Sequence, residues 1–509
     1  MRPGPLVLLA LVATIAAGAA LRLWGAGAGA PFRMGVDEPF IITNALRMIR
    51  TGDFNPHFFD YGGLTLYFHA ASAAVAFLMG AMAGQWTNLS AIWEGDLLTT
   101  GRTATALLGT ATIVLVFRIG LRWGQAVALV AALAMAVLPS HVREAHFILT
   151  DTPLTFFVTL SLLLSIRAAE DGRMRRLAWA AVAVGLATAI KYNGVVAMLL
   201  PLMAAVALGR ARWLTGCAVA SGVAALTFLI CAPYTVLDLP AFLNGMAFLM
   251  QSYNQERPLP EAMANYVAYL RNWFTWPGVL PAPVGYVALI TSAVGLLVAI
   301  RTAPSRTVGL LLAVFPLVYF WFVSTQALQY GRYLLPIGPM LCVSLAIGVS
   351  ALTHRLTRGR TGHAVVFGAV SLALLAPPAL TAISWNRTHA LTTTAEQAAQ
   401  WLVSHAAPGD RIVVEGGLFH LPPRFPATRT NSIIGNSIEE YQRDGVRYLV
   451  ATSAISGRYY ADPAAQGESI AAHQLLVARA EPVASFEPDR RHPGATITVL
   501  RVPAPAAED

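Results

Sequence analysis

The feature that most constrains this chain is a succession of twelve apolar runs separated by short segments rich in arginine. Of its 509 residues, 56% are hydrophobic and only 12% are charged, and the mean hydropathy is +0.58. So few charges cannot cover the surface of a soluble protein of this size. The sequence therefore predicts a polytopic membrane protein. The apolar runs are 6–21, 64–84, 101–118, 126–139, 153–168, 178–190, 195–208, 213–232, 283–300, 307–323, 335–352 and 364–383.

The net charge of +9 would suggest a nucleic-acid partner in a soluble protein. Here the arginines stand mostly at the ends of apolar runs, where they report membrane orientation, so no nucleic-acid partner is predicted. The three cysteines, Cys217, Cys231 and Cys342, lie inside apolar runs without metal-ligand spacing. We therefore expect neither a disulfide nor a cysteine metal site.

Five arginine clusters indicate how the chain is oriented, because short cytoplasmic loops are enriched in basic residues. With all five in the cytoplasm, residues 35–63 lie outside and an odd number of crossings separates them from the first cluster. Two runs lie between, and the linker 85–96 is acidic. We therefore expect run 64–84 to be re-entrant or interfacial, leaving about 11 crossings, a cytoplasmic N-terminus and an external C-terminus. The clusters are 118–122, 167–176, 210–212, 301–306 and 355–360.

Two domains are expected, an all-α polytopic membrane domain over 1–384 and a small extracytoplasmic α/β domain over 385–509. Run 6–21 is interpreted as an uncleaved first span, although residues 26–30 resemble a signal-peptidase site. The second domain contains no catalytic motif. Its predicted elements are helices at 394–405 and 464–480 and strands at 411–415, 447–452 and 495–502.

Residues 35–63 form a polar segment between two apolar runs, and they begin with the adjacent carboxylates Asp37 and Glu38. Apolar residues at helical spacing over 40–49 predict an amphipathic helix lying along the membrane surface. Aromatic residues, proline and His57 follow, a composition typical of a membrane interface. The alternative is an ordinary loop whose charges are solvated.

A second external segment carries His141, Arg143, Glu144, His146 and Asp151 between two apolar runs. Ionisable residues near membrane depth are costly to bury, which makes them candidates for function. A solvated hairpin is the alternative. Asp151 could also serve only as the cap of the following helix.

Lys191 is the only lysine among 35 basic residues, and it stands in the motif KYNG. A compact ammonium suits a phosphate or a carboxylate, whereas snorkelling to the interface is the alternative role. Arg332 and Tyr333, in GRYLLP, open a run from the outside. They could hold phosphate oxygens or act only as interfacial anchors.

The Asp37–Glu38 pair, the TDTP segment at Asp151, KYNG and RYLLP, in this order on one face, resemble integral-membrane glycosyltransferases of the C fold. The sequence is most similar to glycosyltransferase family 39, the dolichyl-phosphate-mannose protein mannosyltransferases with their bacterial relatives. The lipid A aminoarabinose transferases are similar in outline. The resemblance covers roughly residues 1–385, without the longer soluble insertions of family 39.

The resemblance implies transfer of a hexosyl or pentosyl group, with inversion, from a polyprenyl-phosphate-linked donor on the extracytoplasmic face of the inner (plasma) membrane. Asp37 would be the catalytic residue. An acceptor hydroxyl needs a base, and Asp37 would supply it. The catalytic group also includes Glu38, for orientation or acceptor contacts, and Asp151 as a supporting carboxylate. Cations must neutralise the departing phosphate. The expected donor-phosphate ligands are Lys191, Arg332, Tyr333 and Arg143. The expected partners are membrane lipid, the donor, and a glycan, lipid or protein acceptor.

Three alternatives stay open at this stage. A divalent metal could bridge Asp37 and Asp151, joined by His141 or His146, with His57 as a further metal or acceptor ligand, although the resembled family does not require a metal. A transporter or flippase of a lipid-linked sugar would need inverted repeats and mid-span charges, which the sequence lacks. A ligase of preassembled glycans is the third alternative.

Overall fold

The computed structural model describes residues 3–253, 257–357 and 362–504. The chain divides into two compact units that are discontinuous in sequence. The first comprises Met1–Ala26, Phe40–Ala76 and Thr100–Asn386. The second comprises Gly27–Pro39, Phe77–Thr99 and Arg387–Asp509.

Helices dominate the chain up to residue 389. Short 3₁₀ helices at Tyr192–Met198 and Gly331–Ile337 precede two of them. The α-helices are α1 (Pro5–Leu23), α2 (Glu38–Thr51), α3 (Gly63–Met82), α4 (Leu98–Gly120), α5 (Gln125–Val137), α6 (Pro139–Glu144), α7 (Asp151–Asp171), α8 (Met174–Ile190), α9 (Leu199–Val206), α10 (Trp213–Cys231), α11 (Tyr234–Leu237), α12 (Leu239–Tyr253), α13 (Leu259–Asn272), α14 (Pro283–Thr302), α15 (Arg306–Ser324), α16 (Gly338–Thr357) and α17 (His363–His389).

The first unit is held together by close contacts between helices that carry small residues. Helices α7 and α8 pack together, as do α14 and α16. At Gly295 an added Cβ would lie 1.8 Å from the Ser344 carbonyl oxygen, and at Gly348 it would lie 2.1 Å from the Thr291 oxygen. Because lipid tails are as apolar as leucine, packing at short range rather than the hydrophobic effect stabilises such helix pairs. Both positions therefore require glycine.

Within the described residues, nine helices are long and apolar enough to cross a membrane. They include α3, which covers the run expected to be re-entrant or interfacial. The predicted spans 126–139, 178–190 and 195–208 form shorter helices, α5, α8 and the Tyr192–Val206 pair of 3₁₀ and α segments. Eight long helices other than α3, together with these three, correspond to the eleven runs predicted to cross, and the number of crossings stays a prediction.

The segments before and after α3 make contacts within the second unit. Helix α3 is continuous, without the internal turn of a re-entrant segment. Phe32, before it, and Trp93, after it, both pack into one hydrophobic cluster with the C-terminal sheet. Both flanking segments therefore pack against the same sheet. Since α2 has only 14 residues, too few to span about 30 Å of hydrocarbon, an interfacial α3 that does not cross stays a prediction, and α3 is itself long and apolar enough to cross.

The second unit contains a five-stranded mixed sheet in the order β2-β1-β3-β5-β4. Strand β1 pairs in parallel with β2 and β3, whereas β5 pairs antiparallel with β3 and β4. The elements are α18 (Thr394–His405), β1 (Arg411–Glu415), β2 (Ala427–Thr430), α19 (Ile438–Arg443), β3 (Val446–Thr452), α20 (Ser453–Ala461), α21 (Gly467–Arg479), β4 (Glu481–Phe486) and β5 (Ile497–Arg501).

Side chains alternate between the two faces of this sheet, as the period of a strand requires. Ile412 and Val414 of β1 pack with α18 on one face. Val413, between them, packs with α19 and α21 on the other. The sheet is therefore covered by helices on both sides. The predicted helices and strands correspond to α18, α21, β1, β3 and β5, whereas the edge strands β2 and β4 were not predicted.

Cysteine labelling in intact cells tests the interfacial position of α3. In a variant lacking the three native cysteines, Thr51→Cys and Gln85→Cys should both react with an impermeant thiol reagent, because α3 does not cross between these two exposed positions. Ser404→Cys should react as well, and Arg173→Cys, within a basic cluster, should react only after permeabilisation. Labelling of position 51 without position 85 would show that α3 crosses.

Candidate functional site

The carboxylate of Asp151 is the centre of a buried charge cluster in the first unit. Asp151 is the first residue of α7 and is 2% exposed. Its Oδ1 accepts a hydrogen bond from Lys191 Nζ at 2.7 Å, and its Oδ2 lies 3.5 Å from Arg332 Nε. No side chain caps the N-terminus of α7. Asp151 therefore binds two cations and does not serve as the helix cap considered from the sequence.

Lys191 lies at the junction between α8 and the 3₁₀ helix Tyr192–Met198, where the backbone is extended. The residue before it, Ile190, accepts hydrogen bonds from Gly62 N at 3.2 Å and Thr65 Oγ1 at 2.8 Å. A Cβ at Gly62 would lie 2.1 Å from the Ala189 carbonyl oxygen. Glycine thus lets the end of the 35–63 segment approach the backbone that carries Lys191.

Aromatic rings surround the two cations. Lys191 Nζ lies 4.3 Å from the centre of the Tyr333 ring, and Arg332 Cζ lies 4.4 Å from that of Tyr330. The hydroxyls of Tyr253 and Tyr333 are 3.0 Å apart. Cation–π contacts stabilise positive charge where little water is present. They therefore hold both cations beside Asp151 without neutralising them.

A second ion pair lies on α6, which packs against the 3₁₀ helix that carries Arg332. Arg143 donates to Glu144 Oε1 from Nε at 2.9 Å and from Nη2 at 2.7 Å. The Glu144 carboxylate is buried, whereas Arg143 is 54% exposed. Burial raises the pKa of Glu144, and the Arg143 guanidinium opposes that rise. Three cations and two carboxyl groups therefore lie in or next to the Asp151 cluster.

The histidines of the second external segment face away from this cluster toward structural partners. His141 Nδ1 lies 3.2 Å from Arg22 Nη2, and Arg22 also donates to carbonyl oxygens at the end of α5. Burial and the Arg22 guanidinium hold the pKa of His141 well below its usual range. The His146 ring nitrogens contact the carbonyl oxygens of Val142 at 2.8 Å and Trp24 at 2.9 Å. Both histidines thus fix helix ends.

His57 lies in the loop after α2 and is not part of the Asp151 cluster. Its Nε2 is 2.8 Å from Asp53 Oδ2, and Arg47 Nη1 binds the same oxygen at 3.2 Å. The His57 side chain is 54% exposed. The three residues form a surface network that holds the loop.

The residues considered as metal ligands do not form a metal site. Among the described residues, no group of three histidine, cysteine or acidic side chains converges. Both oxygens of Asp151 face cations, which compete with a divalent ion. The ring nitrogens of His141 and His146 are engaged with Arg22 and with carbonyl oxygens. These donors do not fit a divalent metal.

Asp37 and Glu38 lie in the second unit, at the start of α2. Glu38 is fully buried, and its Oε2 accepts a hydrogen bond from Gly35 N at 2.6 Å. Asp37 is half-buried. The two neighbouring acids therefore differ in exposure and in contacts. Glu38 closes a backbone turn, whereas part of the Asp37 side chain reaches the surface.

Sequence reasoning identified Tyr333 but missed Tyr253 and Tyr330. Both stand in segments predicted to be external, where aromatic residues usually indicate interface anchors. Asn193, in the KYNG motif, donates to Tyr319 Oη at 3.0 Å. The Tyr253–Tyr333 and Asn193–Tyr319 contacts join residues 80 and 126 positions apart, so no local sequence pattern indicates them. The sequence feature that did indicate this cluster was Lys191, the only lysine of the chain.

The chain is similar to known membrane glycosyltransferases. Residues 82–236 match the family model of dolichyl-phosphate-mannose-protein mannosyltransferase. The structure of ArnT from Cupriavidus metallidurans bound to undecaprenyl phosphate matches with a TM-score of 0.60 and 14% identity, over 96% of this chain and 97% of that one. Archaeal oligosaccharyltransferase AglB from Archaeoglobus fulgidus, in complex with an inhibitory peptide and a dolichol-phosphate, matches with a TM-score of 0.54 and 13% identity. This match covers 89% of this chain and 70% of that one. No curated protein sequence matches the chain.

At these identities the structural similarity establishes the fold. The chain is a multi-span membrane protein with the C fold of integral-membrane glycosyltransferases and a small C-terminal sheet domain. The predicted fold class and the predicted resemblance are confirmed.

A double-mutant cycle tests the Asp151–Lys191 pair. The free energies of unfolding of Asp151→Asn, Lys191→Met and the double variant in detergent should give a coupling of roughly 1.5–3 kcal/mol, because the bond is charge-assisted and buried. The exposed pair Asp171–Arg176, whose atoms lie 2.9 Å apart, is the matched control and should give at most about 1 kcal/mol. Equal couplings for the two pairs would contradict the buried cluster.

Proposed function

We propose that the protein transfers a sugar from a polyprenyl-phosphate-linked donor to an acceptor hydroxyl on the extracytoplasmic face of the membrane, with Asp37 as general base. The donor phosphate binds Lys191 and Arg332, with Tyr333 and Arg143 nearby. The observation that carries the proposal is the pair of cations, Lys191 and Arg332, held together at the buried Asp151 carboxylate. In the same fold, ArnT was crystallised with undecaprenyl phosphate and AglB with a dolichol-phosphate.

A buried carboxylate with two cations is poorly explained by stability alone. Removing charges from water costs several kcal/mol per ion, and well-packed apolar residues often stabilise a protein equally well. A lipid-linked phosphate is an anion that Lys191 and Arg332 can bind together. Asp151 then keeps Lys191 and Arg332 in place before the donor arrives, so that little reorganisation accompanies binding.

The proposed reaction is a single displacement. The acceptor oxygen forms a bond to the anomeric carbon as the bond between that carbon and the phosphate oxygen breaks, which inverts the anomeric configuration. The electron pair of the broken bond leaves with polyprenyl phosphate. Asp37 accepts the acceptor hydroxyl proton, and Lys191 and Arg332 stabilise the charge on the departing phosphate.

The difference between Asp37 and Glu38 supports Asp37 as the base. A base needs access to an incoming hydroxyl, and Asp37 reaches the surface whereas Glu38 is fully buried. The Glu38 carboxylate is already bound to the Gly35 amide. In this proposal Glu38 shapes the segment and Asp37 performs the proton transfer.

The location and partners follow from the same proposal. The apolar helices hold the prenyl chain within the inner (plasma) membrane, the N-terminus is cytoplasmic and the C-terminal domain is external. The transferred group is a hexose or a pentose. The acceptor is a glycan, a lipid or a protein with an accessible hydroxyl.

Product identification in a defined membrane tests the proposed function. Purified protein in nanodiscs is given polyprenyl phosphates carrying different radiolabelled sugars, together with an extract of cell-envelope acceptors. A transferase releases unlabelled polyprenyl phosphate in the same amount as label appears on an acceptor. In sealed vesicles, movement of intact donor across the bilayer without release of polyprenyl phosphate would instead identify a flippase.

Substitution of the two neighbouring acids should have unequal effects. Asp37→Asn keeps the shape of the side chain but removes its basicity, so kcat should fall by roughly 10²–10⁴-fold with donor binding retained. Glu38→Gln keeps an acceptor for the Gly35 amide, so its kcat should fall less. Size-exclusion profiles identify folded protein for both. Near wild-type turnover of Asp37→Asn would remove Asp37 from the reaction.

A further inference from the structure

The segment that carries Asp37 and Glu38 is bound to the C-terminal domain inside the second unit. Phe32 is buried against α18 and the strands, together with Phe419 and Phe425. The backbone joins the same place, because His420 N donates to the Phe32 carbonyl oxygen at 2.8 Å. The segment is therefore held five positions before Asp37 by an apolar anchor and a backbone hydrogen bond.

Arg33 makes a second attachment through charge. Its Nε lies 3.1 Å from Glu396 Oε1 on α18, and its Nη2 donates to the His389 carbonyl oxygen at 3.1 Å. The Glu396 carboxylate is itself oriented, because its Oε1 accepts a hydrogen bond from the Thr393 hydroxyl at 3.2 Å. The Glu396 side chain is 7% exposed, so this pair is screened far less than a surface pair.

The backbone conformation of Gly29 and its lack of a side chain allow the contact between Arg33 and Glu396. Its φ is +76°, a conformation that L side chains rarely adopt. An added Cβ would lie 2.6 Å from Arg33 Nε and 3.1 Å from Glu396 Oε1. The turn at Gly29 thus brings Arg33 onto the domain, and any side chain there would separate the pair.

The domain also contributes a side chain next to Glu38. The ring nitrogens of His420 are buried and have no hydrogen-bond partner within the described residues. Burial, with the charge of Arg429, lowers the pKa of His420 to about 4, and the nearby Glu38 carboxylate opposes that shift. The His420 ring is therefore close enough to Glu38 for their charges to interact.

We propose that the C-terminal domain positions the catalytic segment, with Phe32, Arg33 and His420 as the contacts through which it holds Asp37 in place. This inference rests on the proposed function, since it assigns Asp37 to the reaction. It gives the domain, which has no catalytic motif of its own, a part in turnover. Arg33 and His420 are positioning residues that act through Asp37 and Glu38.

Kinetics of variants on both sides of the contact test the proposal. The set is Arg33→Ala, Glu396→Ala, their double variant and His420→Ala, each as the full chain in nanodiscs. Displacement of a reacting group by about 1 Å costs roughly 100-fold, so Arg33→Ala and Glu396→Ala should each lower kcat by about ten- to a hundredfold. The double variant should lose no more than the larger single loss. The KM for the donor should stay near wild type.

Arg479→Ala is the matched control. It breaks an ion pair with Glu439 in the same domain, between helices on the face of the sheet opposite α18. A general loss of domain stability would affect this variant as well, whereas a positioning effect would not. Wild-type kcat in Arg33→Ala and His420→Ala, or equal losses in Arg479→Ala, would overturn the proposal.

Hydrogen–deuterium exchange separates this inference from the proposed function. The His420 amide and residues 27–39 should exchange slowly in the wild-type protein and faster in Arg33→Ala, with Arg479→Ala unchanged. If no donor is turned over but the exchange follows this pattern, the attachment stands and the proposed reaction is wrong. If the donor is turned over but exchange and kcat are unaffected by Arg33→Ala, the positioning role is wrong.

Discussion

The buried carboxylate of Asp151 is the constraint on which the arrangement of the first unit depends. The negative charge of Asp151 is compensated only because three separate segments meet. They are the start of α7, the residue after α8 and the 3₁₀ helix before α16. A lone carboxylate at this burial would cost several kcal/mol, so Lys191 and Arg332 cannot move away without penalty. The helix packing that makes α7, α8 and α16 neighbours is thereby also a condition for an organised pair of cations.

The membrane explains why charge is so informative in this chain. Where no water is available, every ionisable group must find a partner or reach the interface, so charges collect in a few places. Arginines at the ends of helices indicate how the chain is oriented in the membrane. Buried arginines bind specific oxygens, as Arg22 binds carbonyl oxygens at the end of α5. The same polar segments that looked like loops therefore hold the helices together and supply the proposed site.

Most of the architecture was predictable because hydropathy and basic residues act locally. The crossings follow from the apolar runs, and strands β1 and β3 follow from buried β-branched residues. Strand β2, with the sequence ATRT, was missed because it is a short, exposed edge without apolar alternation. The predicted boundary at 384/385 falls inside α17, since helix propensity continues past the end of the apolar run.

The candidate site was predictable in its residue types but not in its contacts. Lys191 stood out because it is the only lysine, and Arg332 because it opens a run. Nothing in the sequence indicated that both would bind Asp151, because that pairing joins residues 40 and 181 positions apart. The attachment of Arg33 to Glu396 spans an even longer separation and was invisible for the same reason.

Binding of a lipid-linked phosphate by the cations around Asp151 is the property on which the proposed function depends most directly. Native mass spectrometry of the purified protein with undecaprenyl phosphate measures this directly, without requiring the sugar or the acceptor. We expect the Kd to be at least roughly tenfold larger for Lys191→Met, because a charge-assisted hydrogen bond is lost. The Kd should be unchanged for the distant control Arg176→Met. Equal affinity in the wild type and both variants would contradict it.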